Sequence, residues 1–132
     1  MRLPRGYLHI DNLMETNQRE GTCKREFMAL QDSLDLLGGK WKLLIIHYLS
    51  RRTAEENSFK KIQAGIVGIS AKMLSKELKS LELNLMVSRA IQATKPVTVN
   101  YQVTEYGKQV LPITTQLIDW GLEHRETIKQ NG

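Results

Sequence analysis

The stretch from Ile69 to Leu83, Ile-Ser-Ala-Lys-Met-Leu-Ser-Lys-Glu-Leu-Lys-Ser-Leu-Glu-Leu, admits few structures. Wound as a helix at about 100° per residue, it gathers Leu74, Leu78, Leu81 and Leu85 into one narrow stripe, with Lys72, Lys76 and Lys79 on the opposite side. Such a segment needs a core against one face and water or a polyanion against the other. Ser70 suits the N-cap, because its hydroxyl can accept a hydrogen bond from an otherwise unpaired first-turn amide. The short side chains of Ser70, Ala71 and Ser75 keep the first turns slim, as a helix entering a DNA major groove requires. The plainer reading is a solvated surface, the usual fate of lysines on a helix, so the neighbouring sequence must decide.

Upstream, Ser58 offers a second N-cap, for a short helix to about Ala64 in which Phe59 and Ile62 face a core and Lys60 and Lys61 face water or phosphate. Gly65-Ile66-Val67-Gly68-Ile69 is a turn, and helix, glycine-containing turn and helix together make a helix-turn-helix. After Leu83-Asn84 the period changes to two. Met86 to Thr94 and Val97 to Thr104 are rich in Val, Ile and Thr, and Val97, Val99, Tyr101 and Val103 alternate with polar residues. These are two antiparallel strands, joined at Lys95-Pro96, where proline suits a loop tip. A hairpin after a helix-turn-helix is a wing, here about residues 86–103, with Lys95 beside the adjacent minor groove or backbone when the preceding helix, about 70–83, lies in the major groove.

From about Arg25, Phe27, Leu30, Leu34 and Leu37 recur at helical spacing until Gly38-Gly39 ends the run. Lys40 to Ser50 is apolar nearly all round and is expected to be the enclosed axle of the domain, followed by a polar loop over Arg51 to Asn57. Residues 1–22 show no sustained period and are assigned as an N-terminal extension ahead of a domain at 23–130. Thr104 can cap a last helical region, bent or broken near Pro112, with Gly121 permitting a further bend. Its apolar residues exceed what so small a domain can cover. Phe27, Leu30 and Leu34 with Leu117, Ile118 and Trp120 are therefore expected to form a twofold dimer interface, presenting two lysine helices to half-sites about 34 Å apart; the alternative is a C-terminal helix packed only on its own domain.

Composition narrows the partners. At 132 residues the chain has room for one domain with a modest core. Its 19 Lys and Arg against 14 Asp and Glu leave +5, which favours a polyanion such as double-stranded DNA. The longest aliphatic run, Leu43 to Ile46, is far below the roughly 20 residues of a membrane helix, and no secretory signal is legible, so a cytoplasmic address is expected. A single cysteine, Cys23, excludes an intrachain disulfide. Gly38-Gly39-Lys40-Trp41 lacks the upstream glycine and the following Ser or Thr of a phosphate loop. His9, His47, His124 and Cys23 are not at metal-site spacing, and no nucleophile elbow or acid–base pair is marked, so no metal, cofactor or catalytic residue is expected.

Three ordered segments carry a resemblance. Leu36-Leu37-Gly38-Gly39-Lys40-Trp41-Lys42-Leu43-Leu44-Ile45, then Gly68 to Glu82, then Val103-Thr104-Glu105-Tyr106-Gly107-Lys108 resemble the hallmark segments of the HxlR-type winged helix-turn-helix regulators, relatives of the MarR type. The resemblance covers roughly Cys23 to Arg125 and implies an α+β, mainly α fold: a winged helix-turn-helix with a two-stranded wing and terminal dimerisation helices. It implies a homodimeric bacterial or archaeal transcription factor whose helix from Ser70 reads DNA. On that reading Ser70, Lys72, Ser75 and Lys76 are the groove contacts, and Lys79, Lys60, Lys61 and Lys95 meet phosphates. Several family members carry a sensing cysteine before the first helix, often followed by proline; here Cys23 precedes Lys24 and Arg25. Cations beside a thiol favour reactivity, whereas a lone cysteine also serves as a small packed residue. The alternatives are a redox- or ligand-sensing regulator acting through Cys23, or through a small-molecule effector in a dimer-interface pocket, and a winged module for protein association.

Overall fold

The computed structural model describes the backbone of residues 12–132 and the side chains from residue 21 onward. The chain divides after Gly39 into two compact units. The first holds α1 (Asn12–Leu37), about 39 Å long at 1.5 Å per residue. Spacing of apolar residues predicts a start near Arg25, yet the chain is already helical at Asn12. Glu15, Gln18, Arg19 and Glu20 are good helix formers without an apolar period, a signal that a search for amphipathic stripes passes over. The first eleven residues of the assigned extension lie outside the described residues. At its far end α1 stops where expected. The Gly38 N–H donates to the Leu34 carbonyl at 2.7 Å, and Gly39 takes φ 82°, where a Cβ would be penalised.

The second unit contains α2 (Lys42–Ser50), α3 (Phe59–Gly65), α4 (Ala71–Leu83), β1 (Val87–Gln92), β2 (Thr98–Val103), α5 (Glu105–Lys108) and α6 (Leu111–Asn131). Its axle is α2, which packs against α3, α4, β2, α5 and α6. Ile45, Ile46 and Leu49 of α2, Ile62 of α3, and Leu74, Leu78 and Leu81 of α4 form the buried centre, closed by Met86, Val87, Val103 and Val110. Each such side chain contributes about 1.5–3 kcal/mol on burial. The enclosure of α2 is incomplete, because Leu44 is exposed.

The stripe on α4 ends one residue-turn earlier than its spacing predicts. Leu85 is exposed, not buried, because the helix stops at Leu83 and the chain turns away with Leu85 at φ 66°. Met86 takes the inward place instead, its N–H donating to the Leu81 carbonyl at 2.9 Å.

The strands pair antiparallel from Val87↔Val103 at the foot to Gln92↔Thr98 near the tip. Burial fades along the hairpin: Val87 and Val103 are buried, Val99 and Tyr101 half-buried, Ile91 and Val97 exposed. The inward alternation expected of Val97, Val99, Tyr101 and Val103 therefore holds only towards the foot, and the tip, with a cis Lys95-Pro96 bond, projects from the core. The segment expected as a plain polar loop is strapped to β2. Asn57 is buried and donates its N–H to Asn100 Oδ1 at 2.7 Å, Tyr101 donates its N–H to the Asn57 carbonyl at 2.9 Å, and Gln102 Nε2 donates to the Glu55 carbonyl at 2.7 Å.

Thr104 caps α5 as expected, its hydroxyl oxygen accepting from the Gly107 N–H at 2.9 Å while the O–H donates to the Leu85 carbonyl at 2.6 Å. The break foreseen at Pro112 comes earlier: α5 ends at Lys108, and Pro112 lies in the first turn of α6. A missing N–H costs nothing there, because first-turn amides have no intrahelical partner. Gly121 lies inside α6, which is assigned as one helix to Asn131.

Candidate nucleic-acid interface

Two serine caps start the helices of the helix-turn-helix. Ser58 Oγ accepts from the Lys61 N–H at 3.2 Å, and Ser70 Oγ accepts from the Met73 N–H at 3.1 Å. Between them Ile66 and Ile69 are buried, and Gly68 takes φ 87° where the chain reverses. Trp41 lies beneath this turn: a Cβ on Gly68 would stand 3.9 Å from its ring, and Lys40 Nζ lies 4.7 Å from the ring centroid.

Burial on α4 separates two faces. Leu74, Leu78 and Leu81 are hidden, while Ser70 at the cap and Lys72, Ser75, Lys76 and Lys79 along the helix are exposed. The hydroxyl oxygen of Ser70 is occupied as cap acceptor and its proton remains free to donate. Lys60 and Lys61 are exposed on α3 and Lys95 at the wing tip. Lys61 Nζ donates to the Glu56 carbonyl at 3.2 Å, so part of its donor capacity is already committed. None of the eight residues chosen from the sequence is covered by the protein, which leaves a row of cations on one side of a slim helix, the arrangement that phosphate binding needs.

The remaining expected sites are also at the surface. Phe27, Leu30 and Leu34 on α1 and Leu117, Ile118 and Trp120 on α6 are all exposed, and Cys23 is an exposed free thiol on α1. Trp120 stacks on His124 with ring centroids 4.9 Å apart. Among the described residues no His, Cys, Asp and Glu are grouped to hold a metal ion, and no helix is long and apolar enough to cross a membrane.

Three features escaped the sequence reading. An ion pair joins Lys42 Nζ to Glu77 Oε2 at 2.7 Å, with side-chain exposures of 15% and 10%. Its signal was a carboxylate bordering the leucine stripe of α4 and a lysine at the start of a largely apolar helix. Arg89, exposed on β1, adds a wing cation not selected from the sequence. A groove of about 680 Å³ runs along Leu44, His47, Tyr48 and Arg51 to Val67, with Arg52 stacked 3.9 Å over the Tyr48 ring. It lies within the second unit, whereas the sequence alternative puts an effector pocket between two copies.

The fold and the exposed lysine face define a winged helix-turn-helix. Residues 36–129 match the family described as HxlR-like helix-turn-helix, and the chain belongs to that family of MarR-related transcriptional regulators. It is 30% identical over 105 residues to the uncharacterized HTH-type transcriptional regulator YybR of Bacillus subtilis, covering 80% of this chain and 82% of that one. It is 36% identical over 93 residues to a similarly described regulator, BH0655, of Halalkalibacterium halodurans, covering 70% and 80%. Among solved structures, the redox regulator HypR in its reduced form superposes with a TM-score of 0.68 at 27% identity, over 77% of this chain and 98% of that one.

Proposed function

We propose that this chain is a homodimeric, sequence-specific DNA-binding regulator of transcription acting in the cytoplasm. In this reading α4 enters the major groove and the wing lies on the flanking minor groove or backbone. The observation that carries it is the division of α4, a fully hidden leucine stripe opposite exposed Lys72, Lys76 and Lys79. Ser70, Ser75, Lys72 and Lys76 meet base edges, and Lys79, Lys60, Lys61 and Lys95 meet phosphates. The exposed apolar residues of α1 and α6, Phe27, Leu30, Leu34, Leu117, Ile118 and Trp120, supply the surface that a second copy covers. Lysine reads bases less well than arginine, so much of the affinity is electrostatic and falls steeply with salt. A mobility-shift assay with the DNA flanking the gene, repeated across salt concentrations, tests this. Selective retardation that weakens linearly in log affinity against log salt supports it, and no selective complex at any salt overturns it.

A second reading adds redox control through Cys23. It is favoured by the exposure of that thiol and by the likeness to HypR, whose described role is redox regulation. Peroxide treatment should change DNA affinity in the native protein and leave the Cys23→Ser variant unaffected. An equal response in both excludes the cysteine.

A further inference from the structure

We propose that the Lys42–Glu77 ion pair sets the rotation of α4 about its own axis, and so decides which side chains of the lysine face meet a DNA groove; the proposal rests on the DNA-binding reading above. At 100° per residue Glu77 lies about 60° round α4 from Leu74, on the flank opposite Leu78. Its carboxylate is 2.7 Å from Lys42 Nζ, and neither side chain is more than 15% exposed. Both residues are too hidden to touch DNA themselves. They are positioning residues.

The pair is not placed to strengthen either helix. Lys42 stands in the first turn of α2, where the helix dipole disfavours a cation and where α2 itself carries no acidic residue. A buried ion pair is often no more stabilising than an apolar pair of the same volume, and its best-attested use is to fix register. Three leucines alone hold α4 against the core by non-directional contacts that tolerate a small roll. A short charge-assisted contact on one flank of that stripe does not. A roll of about 20° on a helix whose side chains reach a radius of about 5 Å displaces them by about 2 Å. Hydrogen bonds to base edges tolerate only a few tenths of an ångström.

The test compares the native protein with Lys42→Met/Glu77→Leu, which keeps the volume and leaves no charge unpaired. The probe is the duplex that the native protein enriches from a random-sequence pool, measured beside a scrambled duplex of equal length at one salt concentration. The expected result is a melting temperature within a few degrees of the native protein and an unchanged salt slope. The ratio of enriched to scrambled affinity should fall about tenfold, the discrimination of roughly one base pair. A purely structural pair would move the melting temperature and leave that ratio alone, so a folded double variant with the native ratio overturns the proposal. Should the apolar pair not fold, Glu77→Asp carries the test, because it keeps the charge and shortens the arm by one methylene. Its ratio must fall several-fold, and an unchanged ratio is equally fatal. A native protein that enriches no sequence from the pool refutes the DNA-binding reading itself, an outcome distinct from selectivity that survives loss of the pair.

Discussion

Replacing Leu85 by glycine and, separately, by alanine isolates what a side chain costs at φ 66°. Leu85 follows the C-cap Asn84. Its N–H donates to the Glu82 carbonyl at 3.1 Å, and the Met86 N–H reaches the Leu81 carbonyl at 2.9 Å. These paired bonds close a helix through one left-handed residue, a place glycine fills without strain. A Cβ there costs about 1–2 kcal/mol. Because Leu85 is 69% exposed, both variants forfeit the same small burial, roughly 0.5–1 kcal/mol. Their difference is the left-handed penalty less the extra chain entropy glycine loses on folding, about 0.5–1 kcal/mol. We expect Leu85→Gly to be near the native stability and about 1 kcal/mol above Leu85→Ala, which corresponds to about 4–8 °C for a domain of this size. Thermal and urea unfolding followed by circular dichroism measure the gap, with equal urea slopes showing that the unfolded state is comparable. An alanine variant as stable as the glycine variant would refute the reasoning, because it would mean that the turn closes without a left-handed residue.

The other expectations concern the foot of the wing and the lysine face proposed to meet DNA. Thr104→Val removes the cap of α5 and the donor to the Leu85 carbonyl, and should cost about 1–3 kcal/mol in urea unfolding. At Gly107 a Cβ would collide with the Met86 carbonyl and the Val103 side chain, so Gly107→Ala should cost about 1–3 kcal/mol and lower the melting temperature. Lys60→Ala should weaken binding to all duplexes alike and flatten the plot of log affinity against log salt by about one unit, whereas Ser75→Ala should change preference between sequences at constant slope. Mobility shifts across a salt series separate these two outcomes.

What could be read from the residues was whatever local chemistry controls. The caps at Ser58, Ser70 and Thr104 follow from hydroxyl geometry within three residues, and each occupies its expected place. The stripe of Leu74, Leu78 and Leu81 follows from helical period, and it faces the core. Three segments in family-like order pointed to the HxlR type, which the match over residues 36–129 shows. The early half of α1 was missed because it has no apolar period and mixes helix formers such as Glu15, Gln18 and Arg19 with Thr16, Asn17 and Gly21. Leu85 was misplaced because helical spacing continues on paper past the point where Asn84 ends the helix. Lys42 with Glu77, and Asn57 with Asn100, join residues distant in sequence, and nothing local announces which polar side chain will meet which.

The bond from the Tyr101 N–H to the Asn57 carbonyl has an effect beyond steadying the hairpin. A lone two-stranded ribbon is marginal in water, and each free margin invites a strand from another molecule. Here Asn57, with Glu55 accepting from Gln102, already occupies the flank of β2 near its foot. An intruding strand would have to displace bonds that are already made, so this side of the wing is guarded against fibrous self-association by the connection between the second and third helices.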